Sequence, residues 1–222
     1  MPAVKRPYHA PVRIEQAAHT RDRILDAAAA AFAAHGWAGT TIASVARAAG
    51  VSPQAVHLSV GAKPALLVAA VEHAIAGDQP GVPLAEREPF RTAFGPDATL
   101  QARARALAAG SRGVYQRAGP LFLVLAQAAP LDAELAALWE RARARRLEDC
   151  RRLVQLVGRA GPAARSKVTD LLFVYSGPGV YADLTGDRGW TGEAYETWLA
   201  AAVEDLLGGP GRRERPRPAR RR

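Results

Sequence analysis

Cysteine is nearly absent: Cys150 is the single one in 222 residues. One thiol cannot close an internal disulfide or build a cysteine-rich metal site. Long hydrophobic runs are missing as well, and no stretch reaches the roughly 18 apolar residues that suggest a membrane span. Met1–Arg13 carries Lys5, Arg6 and Arg13 with no apolar core behind them, so no secretory signal is expected and the expected location is cytoplasmic. Aromatics are only 6% and β-branched runs are scarce, while alanine is heavily used. Alanine costs least in a helix, and sheets prefer the residues that are rare here. The expected fold class is all-α. His9, His19, His35 and His73 are scattered without metal-ligand spacing, and Ser166, Asp170 and His73 form no visible triad. There is no glycine-rich phosphate loop. We therefore expect no catalytic residues, no metal, no cofactor and no enzyme activity.

What is present is an ordinary globular balance, 49% apolar and 23% charged, which excludes wholesale disorder. The net charge of +9 is unevenly spread. Residues 1–77 carry +3, residues 78–208 are neutral, and residues 209–222 carry +6 from seven arginines and one glutamate. Basic ends on a neutral body suggest a polyanionic partner such as nucleic acid. For the tail alone, a merely solubilising end is the competing reading.

Residues 1–18 hold three prolines and no sustained apolar period, and read as a flexible basic arm. Thr20 looks like a helix N-cap, followed by Ile24, Leu25, Ala28 and Phe32 at helical spacing and a stop at Gly36. Thr41 caps a second helix whose Ile42, Val45, Ala46 and Ala49 form one apolar face, ended by Gly50. Ser52 caps a third, with Pro53 at the first position, where proline loses no helix bond. Two short helices joined by a tight glycine-containing turn make a helix-turn-helix pattern over about 41–60. A fourth helix opens at Lys63-Pro64 and closes at Gly77. These helices make residues 19–77 the expected DNA-binding domain. Residues 78–96 are dense in proline and glycine, which predicts a linker without regular structure. Residues 97–208 read as a helical domain, and 209–222 as a disordered arginine-rich tail.

A helix-turn-helix lays its second helix in the major groove of double-stranded DNA. Ser52, Pro53, Gln54 and Ala55 then stand nearest the base edges, and Gln54 can pair with adenine through its amide. Thr41 and Lys63 start helices and can touch phosphate, and Arg47 can make a flanking phosphate contact. As plain structure, Thr41 and Ser52 would be caps and Arg47 a solvated charge.

The stretch Gly39-Thr40-Thr41-Ile42-Ala43-Ser44-Val45-Ala46, then Ala49-Gly50-Val51-Ser52, then Lys63 and Leu66-Leu67 resembles the DNA-binding domain of the TetR family of transcriptional repressors. Arg23-Ile24-Leu25-Asp26-Ala27-Ala28 through Phe32 and Gly36-Trp37 is similar to that family's first helix. Gly189-Trp190-Thr191 through Tyr195-Glu196-Thr197-Trp198-Leu199 resembles the last helix of actinobacterial-type members. The resemblance implies a homodimer that binds an operator palindrome and releases it when a small ligand enters the C-terminal domain. It also implies that His57 stands where a tyrosine commonly touches phosphate. Val60 replaces a phenylalanine, and Ala62 replaces the usual Ser/Asn cap before Lys63.

In the helical domain, Leu100–Val114 marks one helix, weakened by Gly110 and Gly113, and Pro120 starts a separate apolar segment, Leu121–Ala129. By period alone Leu121–Leu125 could be a strand; its neighbours favour a buried helix. Asp132 can cap a long helix, and Thr191 the last one. Tyr115, Phe122, Trp139, Phe173 and Tyr175 are candidates for a small-molecule pocket between helices, with plain core as the competing role. The apolar Leu121–Ala129 segment favours an apolar or aromatic effector. The last two helices carry more apolar surface than a thin bundle can bury, which predicts a homodimer through them, separable by Leu199→Arg. Cys150 lies among arginines that could activate it for redox sensing, although an inert buried thiol is the simpler reading. The alternative to a ligand-responsive repressor is a DNA-binding regulator or architectural protein without a ligand.

Overall fold

Helix begins earlier than Thr20. In the computed structural model, which describes residues 10–77, 79, 81–157 and 162–208, α1 runs from Ala10 to Gly39. Thr20 lies inside it and donates its hydroxyl to the Gln16 carbonyl at 2.8 Å, so it caps nothing. The expectation of a flexible arm to residue 18 fails from residue 10 onward. Pro11 is tolerated because a proline in the first turn gives up no intrahelical bond, and Ala17-Ala18 favour the helix. At Gly36 the backbone leaves helical geometry (φ 64°, ψ −170°), as the expected stop requires.

The next three helices are α2 (Ile42–Ala49), α3 (Pro53–Ser59) and α4 (Lys63–Ala76). Their inward residues Val45, Ala46, Val56, Leu66, Leu67, Ala70 and Val71 pack on Ile24, Ala28 and Phe32 of α1. Leu121, Val124, Leu125 and Leu135 join the same core, so the N-terminal helices and the body share one apolar interior.

The segment expected to lack regular structure holds a 3₁₀ turn at Leu84–Glu86 and a short helix, α5 (Phe90–Phe94), with Ala93 and Phe94 buried. The prolines limit helix length without forbidding one turn, and Phe90 and Phe94 at i, i+4 give that turn a face to bury. α6 (Leu100–Ala128) is continuous through Pro120, which corrects the expected break there. Pro120 and Gln116, whose carbonyl loses its helical partner, are both on the exposed side. Gly119 has no Cβ to clash with the proline ring.

The body continues with α7 (Ala133–Val157), α8 (Pro162–Tyr175), α9 (Pro178–Ala182), a π turn at Asp183–Asp187 and α10 (Gly192–Gly208). Asp132 and Thr191 cap α7 and α10 through the Leu135 and Ala194 amides, each at 3.1 Å. The described residues contain no strand. Tyr195, Leu199, Val203 and Leu207 of α10 are buried within the protomer, in the core they share with Ala104 and Leu107 of α6. Leu199 is therefore unsuited to testing a dimer interface. The arginine tail lies outside the described residues.

Candidate functional site

Local chemistry holds the helix-turn-helix. Thr41 Oγ1 accepts from the Ser44 amide at 3.1 Å, and Ser44 Oγ accepts from the Thr41 amide at 3.1 Å, a reciprocal capping box. Gly50 turns the chain at φ 66°, ψ 37°, where a side chain would be strained. Ser52 Oγ accepts from the Ala55 amide at 3.1 Å. Two arginines of α1, which sequence reasoning missed, complete the unit: Arg23 donates to the Ala49 carbonyl and Arg21 to the Ser59 carbonyl. Each closes the C-terminal end of a short helix. Their signal in the sequence was weak, because both partners are distant along the chain.

On the outside, Thr41, Arg47, Ser52, Pro53, Gln54 and His57 are exposed, and Ala55 is half-buried. Val56 faces inward with no exposure. Leu58 was not among the expected contacts, yet it is 82% exposed and stands beside His57 and one turn after Gln54. An isolated leucine on that face suits contact with a thymine methyl. Lys63 is held differently from the expected free phosphate contact. Its ammonium donates to the Trp37 carbonyl at 2.5 Å and lies 4.3 Å from the centre of the Trp37 ring. Burial lowers its pKa. Ala62, as expected, supplies no side-chain bond to the start of α4.

α4 ends in the body. His73 of α4 reaches Asp26 of α1 at 3.0 Å. The last carbonyls of α4 are taken by arginines of the body: Arg87 donates to Ala76 at 2.8 Å and Ile75 at 3.1 Å, and Arg117 to Ala74 at 3.1 Å. Beyond this junction is a cavity of about 410 Å³ between α4, α5, α6, α7 and α8, with Ile75 in its wall. Tyr115, Phe122 and Trp139 line it; Phe173 and Tyr175 do not. Tyr175 packs on Trp198 instead, with ring centres 6.0 Å apart. Phe173 lies under Arg146, whose guanidinium carbon is 3.6 Å from the ring centre. The Tyr115 hydroxyl donates to the Ser176 carbonyl at 2.6 Å, and burial pushes its pKa up to about 12. Cys150 also lines the cavity, and burial raises its pKa, which opposes thiolate chemistry. Gly110 is a close-approach position: a Cβ there would stand 2.6 Å from the Phe90 ring that faces the cavity.

Residues 24–70 match the family model of bacterial regulatory proteins, tetR family. The chain carries a TetR-family helix-turn-helix domain. Solved structures share this fold over most of the chain. A Rhodococcus sp. protein assigned to the TetR family of transcriptional regulators aligns with TM-score 0.61 and 18% identity over 86% of this chain and 99% of its own. A protein from Mesorhizobium loti MAFF303099 assigned to the same family aligns with TM-score 0.61 and 22% identity, over 86% and 96%. A TetR-like transcriptional regulator from Rhodococcus sp. RHA1 gives 0.59 and 19%, over 86% and 96%. At these identities the likeness shows the all-α TetR-like fold. No curated protein matches the chain. Among the described residues, no single helix is long and apolar enough to cross a membrane. The TetR-family domain and fold together support a DNA-binding transcriptional regulator.

Proposed function

We propose that this chain is a ligand-responsive homodimeric repressor that acts in the cytoplasm and has no catalytic role. In this reading residues 19–77 bind a palindromic operator, 78–96 connect, and 97–208 bind a largely apolar or aromatic small molecule and dimerise. The arginines of 209–222 add phosphate contacts that read no sequence. Gln54, Ala55 and Leu58 with Ser52 and Pro53 face the bases. Thr41, Arg47 and His57 face the backbone, and Lys63 stiffens the start of α4.

The observation that carries the reading is the course of α4. It starts beside the helix-turn-helix at Lys63 and ends with Ile75 in the cavity wall. A ligand seated there touches the helix that follows α3 after residues 60–62 and packs on α1, in the core that also holds Val56 of α3. It can favour the DNA-incompetent arrangement only by binding it more tightly. The test is a mobility shift on DNA upstream of the chain's own coding sequence, repeated with native metabolite extract. Release of the DNA by a small-molecule fraction is expected; operator binding that no fraction alters favours a ligand-free regulator.

For the dimer, the supporting surface is the outer side of α8 and α10, where Val174 is 54% exposed and Leu171 and Trp198 are partly exposed. Val174→Arg is expected to yield a folded monomer by light scattering that no longer binds the palindrome. A Val174→Arg dimer would place the interface elsewhere.

A further inference from the structure

The cavity is apolar on most of its wall, and its charge is concentrated on one side. Among the described residues, the charged ones that line it are Arg143, Arg145, Arg146 and Asp149, all on α7. Asp149 is already met by Arg145, at 3.6 Å. Among the described residues neither Arg143 nor Arg146 has an acidic partner. They stand at i, i+3 on one helix face, and both guanidinium carbons lie over the Phe173 ring, at 5.4 and 3.6 Å. That ring sets them in place without neutralising them. Arg146 donates to the Phe173 carbonyl through one nitrogen, which leaves most of its five donors for another acceptor. Burial pulls the Arg146 pKa down, yet a guanidinium keeps its proton in proteins. A partly buried cation that lacks a counter-charge is costly, and an anion with two oxygens answers it with charge-assisted bonds.

We infer that the effector cavity takes an apolar acid: a small molecule with an aromatic or aliphatic body and one carboxylate or comparable monoanionic head, the head held by Arg143 and Arg146. This rests on the ligand-responsive reading of the same cavity and narrows its ligand class. The body of such a molecule lies among Phe90, Phe122 and Trp139 and reaches Ile75. A neutral hydrocarbon would leave the arginines unmet. A multiply charged ligand would strand its remaining charges against the apolar wall.

The experiment is calorimetric titration of the full-length protein at neutral pH with two acids and their neutral counterparts: naphthoate against naphthamide, and decanoate against decanol. At least one acid is expected to bind about tenfold more tightly than its counterpart, the scale of a hydrogen bond to a charged group. Arg143→Met and Arg146→Met should each shrink that preference, the acid losing more affinity than its neutral counterpart. Arg146→Lys should retain more of it than Arg146→Met. Arg143 is exposed, so its replacement keeps the fold even if loss of the Arg146 bond to Phe173 does not. Equal affinity for acid and neutral compound, a preference that survives both substitutions undiminished, or no binding of either acid overturns the inference. Binding that depends on the arginines without any effect on operator binding upholds the ligand class and instead defeats the proposed ligand response.

Discussion

The helix-turn-helix unit and the cavity-bearing body use the same two devices, a side chain three residues away at a helix start and an arginine from elsewhere in the chain at a helix end. Only in the body does such an arginine, Arg146, line a cavity. Thr41 answers Ser44, and Ser52 answers Ala55. In the body, Arg103 donates to the Ala93 carbonyl at 2.9 Å and the Pro96 carbonyl at 3.0 Å, Arg87 to the end of α4, and Arg146 to Phe173. In the N-terminal unit Arg21 and Arg23 close the ends of α3 and α2 from α1, over an apolar interior shared with the body. In the body the same device ties one helix to another, and beside the cavity Arg146 keeps donors to spare.

The strongest way to break this comparison is to charge the body's core. Leu199 is fully buried in the core shared by α6 and α10. Leu199→Arg places an unpaired charge there and is expected to cost about 5 kcal/mol or more. Thermal unfolding followed by circular dichroism should show the body melting first, with helical signal from the N-terminal unit outlasting it. A single cooperative loss of all helix would mean that the shared interior through Leu121 and Leu125 binds the two regions into one unfolding unit.

Gly110→Ala comes next. Alanine is the better helix former by roughly 1 kcal/mol, but its Cβ would stand 2.6 Å from the Phe90 ring. Overpacking of this kind costs about 1–3 kcal/mol, so steric conflict should win and Tm should fall. Phe90 lines the cavity, so affinity for a bound acid should change as well, while DNA binding without ligand stays as it was. An unchanged affinity would show that Phe90 does not shape the site.

These two positions also show why some of the molecule was legible in the sequence and some was not. The caps at Thr41 and Ser52, the turn at Gly50 and the stop at Gly36 all act within a few residues, and their residue types announce them. Tyr115, Phe122 and Trp139 could be nominated for the cavity because apolar residues at helical spacing must face something. Whether they faced ligand space or core depended on packing between α4, α5, α6 and α7, which leaves no local mark. Gly110 looked like a weakness in a helix and is instead the space that Phe90 occupies. The Phe173 ring carries the arginines above it and lies outside the cavity wall. Arg143 and Arg146 leave no such mark, because an arginine-rich helix reads as a solvated face unless its partners are known.

A smaller effect should separate the two kinds of support within the N-terminal unit itself. Arg21→Ala and Arg23→Ala each remove a donor from a helix-end carbonyl while leaving every local cap intact. Both sites are partly open to water, so each change should cost only about 1 kcal/mol. If the distant arginines set the angle of α3, operator affinity should fall by more than the stability loss explains. If the local caps suffice, affinity should be unchanged once the folded fraction is accounted for.

The smallest expected effect is a gain. α4 begins at Lys63 with Ala62 as its N-cap, and no side chain meets its first amides. Ala62 has φ −75° and ψ 174°, close to the φ −79° and ψ 153° of Ser52, which caps α3 with its hydroxyl. The two starts also share a proline in the first turn. The backbone at Ala62 is therefore already shaped for a capping hydroxyl. In Ala62→Ser, Oγ should accept from the Ala65 amide as Ser52 Oγ accepts from Ala55. The position is exposed, so the new hydroxyl meets no packing conflict. Restoring such a cap is worth about 0.5–1 kcal/mol. Urea unfolding should show a higher midpoint with an unchanged slope, since a cap alters stability without altering the surface exposed. An unmoved midpoint would mean that Lys63, bound to the Trp37 carbonyl and ring, already holds the start of α4 and that local capping there is redundant.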